Sequence, residues 1–119
     1  MEQLFNNLKG QAQLYLLDAG EFFPFGAYID KSNNIIPLSA YVYDEDDRPS
    51  SAALIEILEN HIKNELLNRN YLCAAIAIPI LVKDNGKQYD AIEVRIFEEN
   101  STYKKHIRYS INTNRVDFY

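Results

Sequence analysis

Tryptophan is absent from this chain, and cysteine and methionine occur once each. A single cysteine excludes an internal disulfide, so apolar burial and hydrogen bonding must hold the fold together. The two histidines, His61 and His106, lie on separate segments with no paired Cys or His spacing, so neither a metal nor another cofactor is expected. Four glycines at isolated positions make no glycine-rich phosphate loop. Basic residues are outnumbered 12 to 17 by acidic ones, giving a formal net charge of -5 and a pI near 4.9. Binding nucleic acid requires a basic patch to neutralise phosphates, so no nucleic-acid partner is expected and a basic protein is the better match. There is neither a signal-peptide pattern nor an apolar run of membrane length; no membrane association is expected, and the cytoplasm is the expected location.

What is present is apolar patterning. Of 119 residues, 47% are hydrophobic, enough for one domain spanning residues 1–119 that buries roughly two-thirds of its unfolded surface. The organising stretch runs from Ser50 to Glu98. Ser50 and Ser51 offer a helix cap, and Leu54, Ile55, Ile57, Leu58, Ile62, Leu66 and Leu67 recur at helical spacing, with Arg69 and Asn70 closing the segment. From Tyr71 to Val82 the chain is almost continuously apolar, as in a strand covered on both faces. Asp84-Asn85-Gly86 is a hairpin turn, and Gln88 to Glu98 alternates as its return strand. Pro79 removes a ladder donor and therefore implies an edge or a bulge at that point.

The remaining segments complete the pattern. Residues 2–18 read as an amphipathic helix interrupted by Gly10 and ended by Gly20. Glu21-Phe22-Phe23-Pro24-Phe25-Gly26 leads into a strand at Ala27–Asp30, and a turn at Lys31–Asn34 returns the chain as a strand at Ile35–Tyr43. Further strands are predicted at Tyr103–Ile111 and Val116–Tyr119. The expected architecture is α+β, an antiparallel sheet of five to six strands with two helices mainly on one face, in the order α-β-β-α-β-β-β-β.

Several groups of residues are candidates for function. Asp44, Glu45, Asp46 and Asp47 precede the second helix; they read either as a solvated loop or as an acidic hook steering a cationic partner. On the return strand Ile92, Val94 and Ile96 face the helices, leaving Tyr89, Ala91, Glu93, Arg95 and Phe97 on the open side, beside Lys104, His106 and Arg108 or the tyrosines of the next strand. Glu93 and Arg95 there read as a cross-strand ion pair worth roughly 0.2–1 kcal/mol. The nine tyrosines suit either an interface or the wet rim of a core. The phenylalanines at 22, 23 and 25 read as a packed lead-in to the sheet, with a ligand-binding aromatic cluster as the alternative. Cys73 with His106 is the one conceivable nucleophile pair, but the apolar surroundings of Cys73 favour a core residue.

The Glu21–Ala27 stretch, the Ala74–Ile80 strand and Asp90-Ala91-Ile92-Glu93-Val94 together resemble small, mostly uncharacterised bacterial proteins of immunity type. That resemblance implies a single-domain inhibitor binding a cognate secreted toxin through acidic and aromatic surfaces. The expectation is a non-enzymatic protein-binding domain, with Asp44 to Asp47 steering a basic partner and Tyr89, Glu93, Arg95 and Phe97 in contact with it. A homodimeric accessory protein is the second reading, motivated by the apolar C-terminus and open strand edges. A small ligand-binding domain or hydrolase, with a pocket containing Phe22, Phe25 or Cys73, is the third.

Overall fold

A computed structural model describes residues 2–40 and 50–119. In chain order it contains α1 (Glu2–Ala19), β1 (Phe25–Ile29), β2 (Ile35–Leu38), α2 (Ser51–Leu67), β3 (Cys73–Asp84), β4 (Lys87–Phe97), β5 (Thr102–Asn112) and β6 (Arg115–Phe118). The six strands form one antiparallel sheet ordered β2-β1-β3-β4-β5-β6. The α+β class and the element order are those expected from the sequence.

Local chemistry sets the boundaries. α1 buries Leu4, Leu8, Ala12 and Leu16, one residue per turn, and continues through Gly10. It stops at Gly20, whose φ of 74° lets its N–H donate back to the Leu16 carbonyl at 2.9 Å. α2 begins at Ser50, whose hydroxyl accepts from the Ala53 amide at 3.1 Å. It ends when Arg69 turns left-handed, at φ 60°. The Arg69 amide then donates to the Leu66 carbonyl and the Asn70 amide to the Glu65 carbonyl, a Schellman closure with Arg69 in the position for which Asn70 is the more usual residue type. The β3–β4 hairpin turns at Asn85 and Gly86, both at positive φ, as the Asn-Gly pair predicts. Gly26 is required for a different reason: a Cβ there would lie 2.7 Å from the Ala75 carbonyl oxygen on β3.

The sequence reading expects both helices mainly on one face of the sheet; instead they lie on opposite faces. Alternate residues of β3 point to opposite sides of the sheet. Cys73, Ala75 and Ala77, with Ile92, Val94 and Ile96 of β4, join the core under α1. Ala74, Ile76 and Ile78, with Phe97, join a second core under α2. The reason lies in β3 itself, which is apolar in both parities and needs cover on each side. No helix among the described residues is long and apolar enough to cross a membrane.

Pro79 takes the edge position that its missing N–H demands. β1 pairs with β3 only from Cys73 to Ala77, and Ile78–Asp84 continues as a ladder with β4 alone among the described residues. β2 ends at Leu38, and residues 41–43, expected to extend it, lie outside the described residues.

Candidate functional site

α2 covers only part of its sheet face. Register places Tyr89, Ala91, Glu93, Arg95 and Phe97 on the same side of β4, with Arg108, His106 and Lys104 of β5 opposite Ala91, Glu93 and Arg95. Phe97, at one end, is 2% exposed in the core beneath α2. It is therefore part of the core and not the partner-facing residue the sequence reading made it. Ala91, which the sequence reading also puts on the open side, is fully buried; the rest of this face carries the polar side chains of β4 and β5.

Four side chains on this surface form one connected network. Arg95 donates from Nε to Glu93 Oε2 at 2.7 Å and from Nη1 to Glu59 Oε1 of α2, also at 2.7 Å. His106 Nε2 lies 3.0 Å from the other Glu93 oxygen. Glu93 and Arg95 do pair, but along one strand and not across two as the sequence reading expects; the cross-strand contact of Glu93 is with His106, and Arg95 extends the network between layers to α2. Glu93 is only 8% exposed. Burial by itself pushes its carboxyl pKa up; the hydrogen bonds from His106 and Arg95, with the charges of Arg95 and Lys104, outweigh this and hold it below the ordinary value. Such a carboxylate, with both oxygens engaged, is a weak base and a firm anchor for the Arg95 and His106 side chains.

Beside the network stands a second pair. The Arg108 guanidinium lies over the Tyr89 ring at 4.3 Å from its centroid, and its Nη2 is 3.2 Å from Asp84 Oδ2. Stacking leaves the guanidinium edge and the tyrosine hydroxyl available to a partner. Asp44, Glu45, Asp46 and Asp47 lie outside the described residues.

The remaining candidates separate. Cys73 and His106 are on opposite faces: Cys73 sits in the core under α1, whereas His106 pairs with Glu93 on the other side. Burial also pushes the Cys73 thiol up in pKa, the reverse of an activated nucleophile. Among the described residues no group of three or more His, Cys, Asp or Glu is arranged to hold a metal. The other histidine belongs to a cluster that the sequence reading missed. Tyr28 and Tyr71 stack at 3.7 Å between centroids, 13° from parallel, and the Tyr71 hydroxyl is 2.7 Å from His61 Nε2. Burial, with the neighbouring Tyr28 and Glu65, pushes the Tyr71 phenol up to about 12. Tyr28 lies in β1 opposite Ala74 and Tyr71 just precedes β3, so neither helical nor strand periodicity brings them together.

Phe22 and Phe25 line an apolar cleft of about 350 Å³ between the end of α1 and the first turn of α2; Cys73 does not line it. Comparison of the chain with protein-family models, with curated proteins and with solved structures finds no match.

Proposed function

We propose that this chain is a non-enzymatic protein-binding domain of the immunity-inhibitor kind, and that its recognition surface is the open β4–β5 half of the sheet face. The observation that carries this reading is the Glu59–Arg95–Glu93–His106 network with the Arg108–Tyr89 stack beside it. Ion pairs at 2.7 Å fix the rotamers of side chains that otherwise lose entropy on binding, and pre-organisation of that sort favours association. Tyrosine and arginine at the centre of a patch are the residue types that dominate binding energy. Asp44, Glu45, Asp46 and Asp47 add acidic charge that would attract a basic toxin to the chain.

The test begins with immobilised protein exposed to lysate of the native cell and washed at rising salt. The eluted partner is then titrated against wild type and a Tyr89→Ala/Arg108→Ala double variant. A rise in Kd of at least about tenfold is expected, since a true anchor contributes more than 1.4 kcal/mol. An unchanged Kd would remove this face from the interface. Recovery of the chain alone would favour the homodimeric reading instead.

A further inference from the structure

The apolar cleft between α1 and α2 has a composition that selects one class of occupant. Its walls are the rings of Tyr15, Phe22, Phe23 and Phe25 with Leu54 of α2. Two of the rings are fixed against Phe25, Tyr15 at 5.2 Å and Phe22 at 5.6 Å between centroids, both edge-on. Phe23 is 48% exposed, an unusual state for a phenylalanine beside an apolar wall. The charged groups lining the cleft are Asp18 and Glu21, and neither takes part in a salt bridge among the described residues. Aromatic faces next to unpaired carboxylates attract a cation, and a planar one with an apolar stem fits both parts at once.

We infer that this cleft receives an arginine side chain of a partner protein. The methylene stem lies along Phe22 and Leu54, the guanidinium stacks on Tyr15 or Phe23, and its N–H groups donate to Asp18 and Glu21. The open mouth, with Tyr15 and Phe23 both reaching solvent, favours a side chain presented on a larger molecule over a small ligand, which is ordinarily enclosed on most sides. The larger cleft at the other end of α2, about 560 Å³, is lined by Lys63 and Arg69 as well as Glu98 and Glu99 and selects neither sign of charge. The arginine cleft is separate from the β4–β5 surface, and either could hold without the other.

The test uses the whole chain labelled for amide NMR and two short capped peptides, one carrying a central arginine and the other citrulline, its neutral isostere. The arginine peptide is expected to shift the amides of residues 15–25 and Leu54 saturably and to bind about fivefold more tightly than the citrulline peptide. An Asp18→Asn/Glu21→Gln variant should erase that difference while leaving the rest of the spectrum in place, and Phe23→Ala should weaken both peptides. Tyr89→Ala/Arg108→Ala should leave the titration unchanged, which separates this site from the open sheet face. Equal binding of the two peptides, shifts confined to other regions, or no saturable shift would each overturn the assignment. Tighter binding of benzylamine than of the arginine peptide would also overturn it, by making the cleft a small-molecule site.

Discussion

The sheet face that carries α2 divides along β4. At one end Phe97 packs with Ala74, Ile76 and Ile78 under the helix; on the same side of the strand, Arg95 and Glu93 stand in an ionic network with His106. Backbone, register and side-chain parity are the same in both halves, so what differs is whether a helix lies above. The covered half derives its stability from area removed from water. The open half uses charge to fix side-chain positions, and Glu59 on the flank of α2 joins the two.

The largest expected effect falls in the covered half. Phe97→Ala removes a nearly fully buried ring between strand and helix and should cost about 3–5 kcal/mol in urea unfolding. A cost below about 1 kcal/mol would mean that α2 closes onto the sheet without that ring, and the division drawn along β4 would be wrong.

Glu93→Gln probes the boundary between the halves. The amide keeps the shape but presents one NH2 where two carboxylate oxygens had met Arg95 and His106, so a donor faces a donor and about 1–3 kcal/mol is lost. The pH dependence has a definite sign. The folded-state pKa of Glu93 lies below its ordinary value of 4.5, so the unfolded chain binds the proton first on acidification. The stabilisation is complete above about pH 4.5 and is lost as pH falls through the folded-state value. Urea midpoints measured down to that range should fall less steeply for Glu93→Gln than for wild type; parallel slopes would show that Glu93 is not the group that titrates. Arg95, His106, Lys104 and Glu59 face the carboxylate from β4, β5 and α2, and all remain in the variant.

Much of this arrangement is legible in the sequence. The Asn85-Gly86 turn, the alternation of β4 and the capping serine each fix a local structure whose cause is local. The opposed helices were within reach too, because Cys73, Ala75 and Ala77 as well as Ala74, Ile76 and Ile78 are apolar, and only two helices are available to cover two faces. Gathering both on one side leaves half of β3 in water. Parity places Tyr89, Glu93 and Arg95 together, but it cannot say where along the strand the helix stops. The sequence pattern therefore assigns Phe97 to the open face. The Glu59–Arg95 contact and the Tyr28–Tyr71 stack join residues 36 and 43 positions apart in the chain, through packing angles and register that no local pattern encodes.

Tyr71→Phe examines a smaller effect on the covered side. Losing the hydroxyl contact with His61 should cost about 0.5–1.5 kcal/mol at neutral pH. Because the folded-state pKa is raised from 10 to about 12, the contribution of the phenol is complete below pH 10 and is lost as pH rises toward 12. Burial also pushes the Tyr103 and Tyr109 phenols up, so ultraviolet titration of the folded protein should show several tyrosinates forming late, and the late amplitude should fall by one tyrosinate in Tyr71→Phe. An unchanged late amplitude would show that Tyr71 is not among them.

The smallest effect on stability is expected where the largest effect on binding is proposed. Arg108 and Tyr89 lie on the outer surface, and the Arg108–Asp84 contact is long at 3.2 Å and solvent-facing, a setting in which ion pairs contribute between nothing and about 1 kcal/mol. Each alanine substitution there should change the unfolding free energy by no more than about 0.5 kcal/mol. A residue retained for the fold and one retained for a partner are told apart by this contrast. Phe97→Ala should weaken binding only through loss of folded protein, with Kd unchanged once that loss is counted, whereas Tyr89→Ala/Arg108→Ala should leave the fold intact and raise Kd. If the double variant instead unfolds at markedly lower urea, the Arg108–Tyr89 stack is a structural clasp for the β3–β4 hairpin, and the open half is an extension of the core by ionic means.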